Sequence, residues 1–392
     1  MQPRELRPGV WSVGAVDWDR RLFDELIPLP DGTSYNCYLV RGSEKTVLLD
    51  TVDPARRRTL LENLDKLKVG HIDYIVAHHA EQDHSGSLPA VLNRFPEARV
   101  LANEKCKRLL TDFMHLPEER FVVVKDGEEL ALGKDKSLQF ISAPWVHWPE
   151  TMLTYLKQDK ILFSCDFLGS HFATSELTVS EDSRIYEAAK RYYAQIMMPF
   201  RTSVQKNLDR IADMAIDVVA PSHGPVYERP AFIIDAYRDW VSPRVRSEVV
   251  IAYVSMHGST RTMVEYLTDA LTRRGIPVRM QNLTVADVGE LAMALVDAAT
   301  LVVATPTVLA GPHPSAVYAA YLVNALRPKT RYIASIVSYG WGGKAAEKLR
   351  AMLDSLHAEI IDPVVVRGCP QDDDFQAIDK LADMILERHK SL

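Results

Sequence analysis

The chain has 392 residues, a net charge of −6 and a hydrophobic content of 47%. This length exceeds one ordinary hydrophobic core and predicts two domains. The acidic balance argues against nucleic acid or an anionic membrane as the main partner, and no run of about 18 apolar residues predicts a spanning helix. The cysteines, Cys37, Cys106, Cys165 and Cys369, form no C-x-x-C pair. Their pattern excludes a cysteine-ligated metal module and predicts a cytoplasmic location.

Short β-rich segments dominate the first part of the chain. Strands are predicted in "GVWSVGAVD", "SYNCYLVRG" and "EKTVLLDTV", then a helix in "ARRRTLLENLDKL" and a strand in "HIDYIVA". Further strands are expected in "ARVLANE", "RFVVVKDGEELAL", "KSLQFISAPWVHW" and "TMLTYLKQDKILFSCDF", around the helix "EKCKRLLTDFM". Beyond Ser180 helices precede a last strand, "IDVVAPSHG". This order predicts an α/β layered domain over residues 1–245.

The second part alternates strictly between strands and helices. Strand Val249–Ser255 and helix Thr260–Arg274 come first, and the stretch "DVGELAMALVDAA" predicts one of the later helices. The segment "IIDPVVVRG" predicts the last strand. The whole pattern predicts a doubly wound parallel sheet of flavodoxin size over residues 246–392.

The run "HHAEQDHSG" (78–86) concentrates potential metal ligands after a buried strand. His79, Glu81, Asp83 and His84 have the spacing H-x-E-x-D-H, whereas His78 does not fit the alternation. On a loop that leaves a strand, alternate residues turn to different sides. We therefore expect adjacent Asp83 and His84 to point apart, so that one loop feeds two metal ions.

Other strand ends supply further ligands. His147 lies in "PWVHWPE", Asp166 in "FSCDF" and His223 in "APSHGP", each after an apolar strand. With the cluster they provide three ligands for each of two metals and one carboxylate to bridge them. Four histidines and three carboxylates without a thiolate favour iron or manganese over zinc.

Three loops of the second part have the composition of a binding site for a phosphate group and a planar ring. The first follows the strand Val249–Ser255 and opens a helix, where backbone N–H groups can wrap a phosphate. It is neither G-x-G-x-x-G nor a P-loop. Two later strand ends add an aromatic pair for a planar ring and glycines that allow close backbone approach. The candidate residues are Ser255, Met256, His257, Gly258, Ser259, Thr260, Pro306, Thr307, Val308, Ser338, Tyr339, Gly340, Trp341, Gly342 and Gly343.

With these motifs the chain resembles the flavodiiron proteins, or A-type flavoproteins, over essentially its whole length. The resemblance implies an N-terminal metallo-β-lactamase-like αββα domain and a flavodoxin-like domain that binds FMN. It also implies that a first iron is bound by His79, Glu81 and His147, and a second by Asp83, His84 and His223, with Asp166 as the bridge. Glu81 is informative, because hydrolases of this fold usually have histidine there and bind zinc.

The resemblance extends to the pocket beside the metals. In "WDRRLFDEL", Asp24 stands where many members carry a histidine, with Glu25 beside it, and this departure bears on pocket polarity. Tyr193 in "RYYAQI" matches a pocket tyrosine of the family, and His171 matches a histidine behind the ligands.

The activity implied is reduction of dioxygen to water, of nitric oxide to nitrous oxide, or of both. Two Fe(II) ions and a reduced flavin hold the four electrons that O₂ takes, and coupling two NO molecules takes two. The family implies a head-to-tail homodimer or a dimer of dimers. The electron donor is then a separate rubredoxin, a flavoprotein reductase or a reduced deazaflavin.

Two other hypotheses compete with this interpretation. One is a di-zinc metallo-β-lactamase-fold hydrolase fused to a flavodoxin-like domain, against which Glu81 argues. The other is an FMN electron carrier whose first domain only docks a partner, against which the complete ligand set argues. Metal analysis separates the first of these from the iron hypothesis.

Overall fold

The computed structural model describes residues 2–354 and 356–392. The chain separates into two compact units, Met1–Tyr193 with Phe200–Val241, and Ala194–Pro199 with Ser242–Leu392. Within the described residues, no helix combines the length and the apolar character needed to cross a bilayer.

The first unit contains two large mixed sheets. One pairs, in this order, β1 (Arg4–Arg7), β2 (Val10–Ser12), β7 (Tyr38–Arg41), β8 (Thr46–Leu49), β9 (Tyr74–Val76), β10 (Arg99–Ala102) and β11 (Phe121–Val123). The other pairs β12 (Glu129–Ala131), β13 (Ser137–Ser142), β14 (Met152–Leu156), β15 (Ile161–Cys165), β17 (Val218–Pro221), β18 (Val226–Tyr227) and β16 (Thr178–Val179). Two small ribbons pair β3 (Ala15–Asp17) with β6 (Thr33–Tyr35), and β4 (Leu22–Phe23) with β5 (Ile27–Pro28).

Helices cover these sheets, namely α1 (Arg57–Lys66), α2 (Gln82–Ser85), α3 (Leu88–Arg94), α4 (Glu104–Met114), α5 (Ser183–Tyr192), α6 (Arg201–Ile211) and α7 (Pro230–Val241). Side chains of both sheets, such as Val40 and Phe163, form one core between them. The other face of the first sheet packs on α1, α3 and α4 through residues such as Ile75 and Leu60. Apolar residues are thus buried on both faces, as the αββα prediction requires.

The second unit is built on a parallel sheet in the order β20 (Val278–Asn282), β19 (Arg246–Tyr253), β21 (Ala298–Val308), β23 (Tyr332–Tyr339) and β24 (Glu359–Ile360). Strand β25 (Val364–Arg367) also pairs with β23, and β22 (Gly311–Pro312) pairs antiparallel with β21. Its helices are α8 (Ser259–Arg273), α9 (Val288–Leu295), α10 (Pro314–Leu326), α11 (Ala345–Leu353) and α12 (Asp372–His389). Helices α8 and α12 contact one face, and α9, α10 and α11 the other. This confirms the doubly wound prediction.

Two predicted elements differ in the structure. The segment "IIDPVVVRG" is not one strand, because β24 ends at Ile360 and β25 begins at Val364, after Pro363. Proline has no N–H to give to a sheet and interrupts the pairing. The helix predicted in "DVGELAMALVDAA" ends at Leu295, because Ala298 already pairs with Arg246 in the sheet.

Candidate functional site

The ligand-rich run leaves the end of β9 and then coils into one helical turn. The backbone N–H of His78 donates to Asp50 Oδ1 at 2.8 Å, and the hydroxyl of Ser85 donates to the carbonyl of Ala80 at 2.7 Å. Asp83 and His84 lie on α2. The prediction that these two side chains point apart is wrong, since Asp83 Oδ1 and His84 Nε2 are 3.4 Å apart. A helical turn does not alternate its side chains as an extended loop does.

The predicted ligands converge as two groups. In the first, Glu81 Oε2 is 3.0 Å from His79 Nε2 and 3.3 Å from His147 Nε2. In the second, Asp83 Oδ2 is 3.1 Å from His223 Nε2, next to His84. Strand ends bring the distant members here: His147 from the loop between β13 and β14, and His223 from the end of β17.

Asp166, directly after β15, lies between the two groups. Its Oδ2 is 3.5 Å from His79 Nε2 and 3.3 Å from His147 Nε2. Its Oδ1 is 3.0 Å from His84 Nε2 and 3.3 Å from His223 Nε2. The two oxygens of one carboxylate therefore face different sets of imidazoles, which is the geometry of a bridge.

The donor atoms fit a pair of metal ions. Both carboxylate oxygens of Asp83 and of Asp166, together with Nε2 of His84, are buried and have no hydrogen-bond partner within residues 2–354 and 356–392. Buried polar groups are almost always satisfied, and anionic oxygens aimed at imidazole nitrogens are what a cation satisfies. In each group the ligand atoms lie within 4.8 Å of one another.

Charge in the cluster perturbs its acids and bases. Burial alone would lower the pKa of His147, but the carboxylates of Asp166 and Glu81 raise it to about 9. Asp166 and Asp83 likewise raise the pKa of His223 to about 10, against the effect of burial. Asp24 is an exposed residue, yet partial desolvation and the charges of Glu81 and Asp83 raise its pKa to about 6. Metal binding would displace the imidazole protons.

Outer partners that the sequence analysis missed orient the ligands. Glu150 Oε1 is 2.8 Å from His79 Nδ1, and the carbonyl of Ser34 is 2.6 Å from His223 Nδ1. Asp50 is 2.8 Å from Nδ1 of His78, which is therefore engaged outside the cluster. Both acids could have been found from the sequence. Asp50 directly follows a strand, as Asp166 does, and Glu150 lies three residues after His147.

The structure places Tyr192, rather than Tyr193, against the imidazoles. The Tyr192 ring lies 4.9 Å from that of His171 and 6.1 Å from that of His223, measured between centroids. Tyr193 packs instead on Tyr237, at 5.4 Å. Tyr192 therefore joins Tyr193 as a candidate pocket residue, and the assignment of Tyr193 stays a prediction.

The His171 side chain lies behind the predicted ligands. Its ring is 4.9 Å from that of His223, and its Nδ1 is 2.8 Å from the hydroxyl of Thr33. Burial and the nearby His223 hold the pKa of His171 well below its usual value. His171 thus packs on the predicted ligand His223.

The second unit brings most of the predicted flavin residues to one cavity. The predicted residues that line it are Ser255, Met256, His257, Ser259, Thr260, Pro306, Thr307, Ser338, Tyr339 and Gly340. The hydroxyls of Thr260 and Ser338 are 2.9 Å apart and tie the first loop to the third. Thr307 Oγ1 is buried without a hydrogen-bond partner in the described part of the chain. Small residues, a helix N-terminus and an unsatisfied hydroxyl suit a phosphate ester.

The remaining predicted flavin residues lie outside that lining. They are Gly258, Val308, Trp341, Gly342 and Gly343, and the Trp341 side chain is 75% exposed. Gly258 precedes α8 with φ +97°, a backbone conformation that favours glycine. Gly368, which was not predicted, lines the cavity from the end of β25.

Comparison with known proteins places these observations in a family. A family model described as ODP family beta lactamase matches residues 33–224. A nitric oxide reductase of Moorella thermoacetica is 35% identical over 400 aligned residues, which cover 99% of each chain.

Solved structures agree with that similarity. The rubredoxin oxygen:oxidoreductase of Desulfovibrio gigas superposes with a TM-score of 0.95 at 28% identity, covering 100% of this chain and 99% of its own. The flavodiiron protein of Giardia intestinalis gives 0.90 at 27% identity, covering 99% and 98%. The chain is 35% identical to a relative over 99% of its length, and its fold matches those of solved flavodiiron proteins. It therefore belongs to the flavodiiron proteins and is an oxidoreductase.

Proposed function

We propose that this flavodiiron oxidoreductase reduces dioxygen to water, nitric oxide to nitrous oxide, or both, at two irons supplied with electrons through FMN. The observation that carries the proposal is the division of the Asp166 oxygens between two sets of imidazoles. Each set adds its own carboxylate, Glu81 or Asp83, so that both positions offer the hard anionic donors that stabilise Fe(III).

The residues of the chain have distinct tasks in this proposal. The first iron would be held by His79, Glu81 and His147, the second by Asp83, His84 and His223, and both by Asp166. When bound, two irons and an FMN would supply up to four electrons and a place for a small gas molecule. Trp148 and Phe23 pack against the rings of His79 and His171, and this apolar cover restricts water around the imidazoles.

The partners follow from the same reasoning. The metal ligands lie within residues 1–245 and the flavin residues within 246–392, the domain limits that we propose. A head-to-tail homodimer, or a dimer of two such dimers, would bring the flavin of one subunit to the irons of the other. The solved relative from Desulfovibrio gigas is named a rubredoxin oxygen:oxidoreductase, which supports a rubredoxin as donor. A flavoprotein reductase or a reduced deazaflavin would serve in the same way, in the cytoplasm.

Stopped-flow reoxidation of the fully reduced protein tests the proposal. Oxidation of iron and flavin by O₂ without released peroxide would make the protein an oxygen reductase. Oxidation by NO with formation of N₂O would make it a nitric oxide reductase. Two zincs and no iron per chain, or oxidation no faster than that of free flavin by either gas, would contradict the proposal and favour a hydrolase.

A further inference from the structure

Glu150 is a buried acid that contacts one metal ligand and is not itself a ligand. It lies in the loop between β13 and β14 and is 2% exposed. Its Oε1 accepts a hydrogen bond from the N–H of Ala80 at 3.0 Å and lies 2.8 Å from His79 Nδ1. The side-chain amide of Asn103 donates to the backbone carbonyl of Glu150 and fixes the loop. An ionised carboxylate only accepts hydrogen bonds, so the Nδ1–H of His79 is the donor of the second bond.

The two proposed metal positions have the same kinds of direct ligand. Each has two imidazoles and one carboxylate of its own, and Asp166 contributes one oxygen to each. A difference between the positions must therefore come from groups that contact the ligands. At His223 that group is the neutral carbonyl of Ser34, at 2.6 Å from Nδ1. At His79 it is the carboxylate of Glu150.

Other nearby acids do not remove this difference between the two metal positions. Asp50 lies within 4.8 Å of a His84 nitrogen, but its oxygens bond to the N–H and Nδ1 of His78. Asp24 acts electrostatically on Glu81 and Asp83, one carboxylate of each set, and its side chain also hydrogen-bonds to Glu81. Glu150 alone of these three is directly hydrogen-bonded to a ligand imidazole.

We infer that Glu150 makes the two metal positions unequal, so that the iron held by His79, Glu81 and His147 has the lower reduction potential. This inference rests on the proposed function. A carboxylate that accepts the outer N–H of an imidazole increases the electron donation of the inner nitrogen to a metal. Stronger donation stabilises the ferric ion more than the ferrous ion. In the half-reduced protein Fe(III) then occupies the His79 position and Fe(II) the His84 position.

The test is a redox titration of the ⁵⁷Fe-loaded holoprotein, followed by EPR and Mössbauer spectroscopy. In Glu150→Gln the amide oxygen can still accept from His79 and Ala80, but the charge is gone. We expect the lower of the two iron potentials to rise, the upper one to move less, and the half-reduced EPR signal to weaken. Glu150→Asp keeps the charge and should retain the separation. Glu129→Gln, an exposed acid paired with Lys157, is the matched control and should change neither potential.

The outcomes separate this inference from the proposed function. Loss of one iron per chain from Glu150→Gln, with both retained in Glu150→Asp, would support the inference, since the charge would then hold that ferric ion. Equal shifts of both potentials, an unchanged separation, or loss of iron from both variants would overturn it and leave Glu150 a packing residue. If the unmodified protein binds no iron or reduces neither gas, the proposed function fails instead.

Discussion

Asp17 is a buried acid at the end of β3 that anchors the segment leading to Asp24. Its Oδ2 accepts from Nε of Arg56 at 3.0 Å, and its Oδ1 accepts from the N–H of Arg20 at 3.1 Å. Burial alone would raise the pKa of Asp17, but the hydrogen bonds and charge of Arg56 lower it. A paired and partly desolvated carboxylate of this kind contributes more to stability than an exposed one.

Asp17→Asn should lower the unfolding free energy at pH 7 by about 1.5–3 kcal/mol, the usual range for hydrogen bonds to charged groups. The folded pKa of Asp17 lies below its unfolded value of about 3.9. The stabilisation is therefore present above that unfolded value and is lost as the pH falls through the folded pKa. Thermal unfolding between neutral and acidic pH should show the two proteins converging at the acidic end.

A surface pair provides the comparison for this prediction. Glu62 bonds to Arg58 on the exposed face of α1. Glu62→Gln should change the melting temperature little at any pH, because solvent screens this ion pair. A pH-independent loss of stability in Asp17→Asn would mean that Asn fails to pack and would contradict the electrostatic account.

At the scale of elements, α8 is held between two glycines with positive φ. Gly258 precedes the helix at φ +97°, and Gly275 follows it at φ +77°. An added Cβ meets no atom within 4 Å at either position, so the cost of a side chain is conformational at both. Only Gly258 is next to the residues that line the flavin cavity. The two glycines therefore form a matched pair.

Gly258→Ala should weaken FMN binding by about tenfold, because a left-handed conformation costs an L-residue roughly 1–2 kcal/mol and relief of that strain would move the N–H groups of the loop. Gly275→Ala should lower the melting temperature as much as Gly258→Ala does. It should leave the affinity for FMN unchanged. Titration of the flavin-free proteins with FMN, followed by flavin fluorescence, measures both. Equal loss of affinity in the two variants would show that helix stability, and not the loop, controls binding.

At the scale of the whole molecule, the proposed sites lie in separate units of one chain. A metal-deficient variant, His79→Ala, and a flavin-deficient variant, Gly258→Val, should each be nearly inactive alone. In a head-to-tail dimer of one copy of each, one intact metal site faces one intact flavin. We therefore expect the doubly tagged heterodimer to have about half the activity of the unmodified dimer, since association supplies the missing partner site.

If electrons move within one chain, the same experiment contradicts the head-to-tail dimer. The heterodimer would then be as inactive as either parent, because each chain lacks one of its two sites. Iron and flavin content of the purified heterodimer serve as the control, with two irons and one FMN expected per dimer.

Much of the fold and of the candidate metal site can be predicted from the sequence, because the informative residues are close together. His79, Glu81, Asp83 and His84 lie within six positions, and their chemistry indicates a metal whatever the backbone does. The strict strand–helix alternation similarly predicted the doubly wound sheet, since periodicity is a local property. Pro363 divided the last strand, a departure that the lack of an N–H on proline explains.

Only the tertiary structure decided which side chains meet. Asp83 and His84 converge because the chain coils after Glu81, and Tyr192 rather than Tyr193 contacts His171 because of the direction in which α5 is packed. Glu150 reaches His79 across a separation of 71 residues. No local pattern reports such a contact, since it depends on two loops that strand pairing brings to one end of the sheets. The sequence by itself determined which types of side chain are available to a metal, and the folded chain determined how they group around Asp166 and that Glu150 contacts one of them, His79.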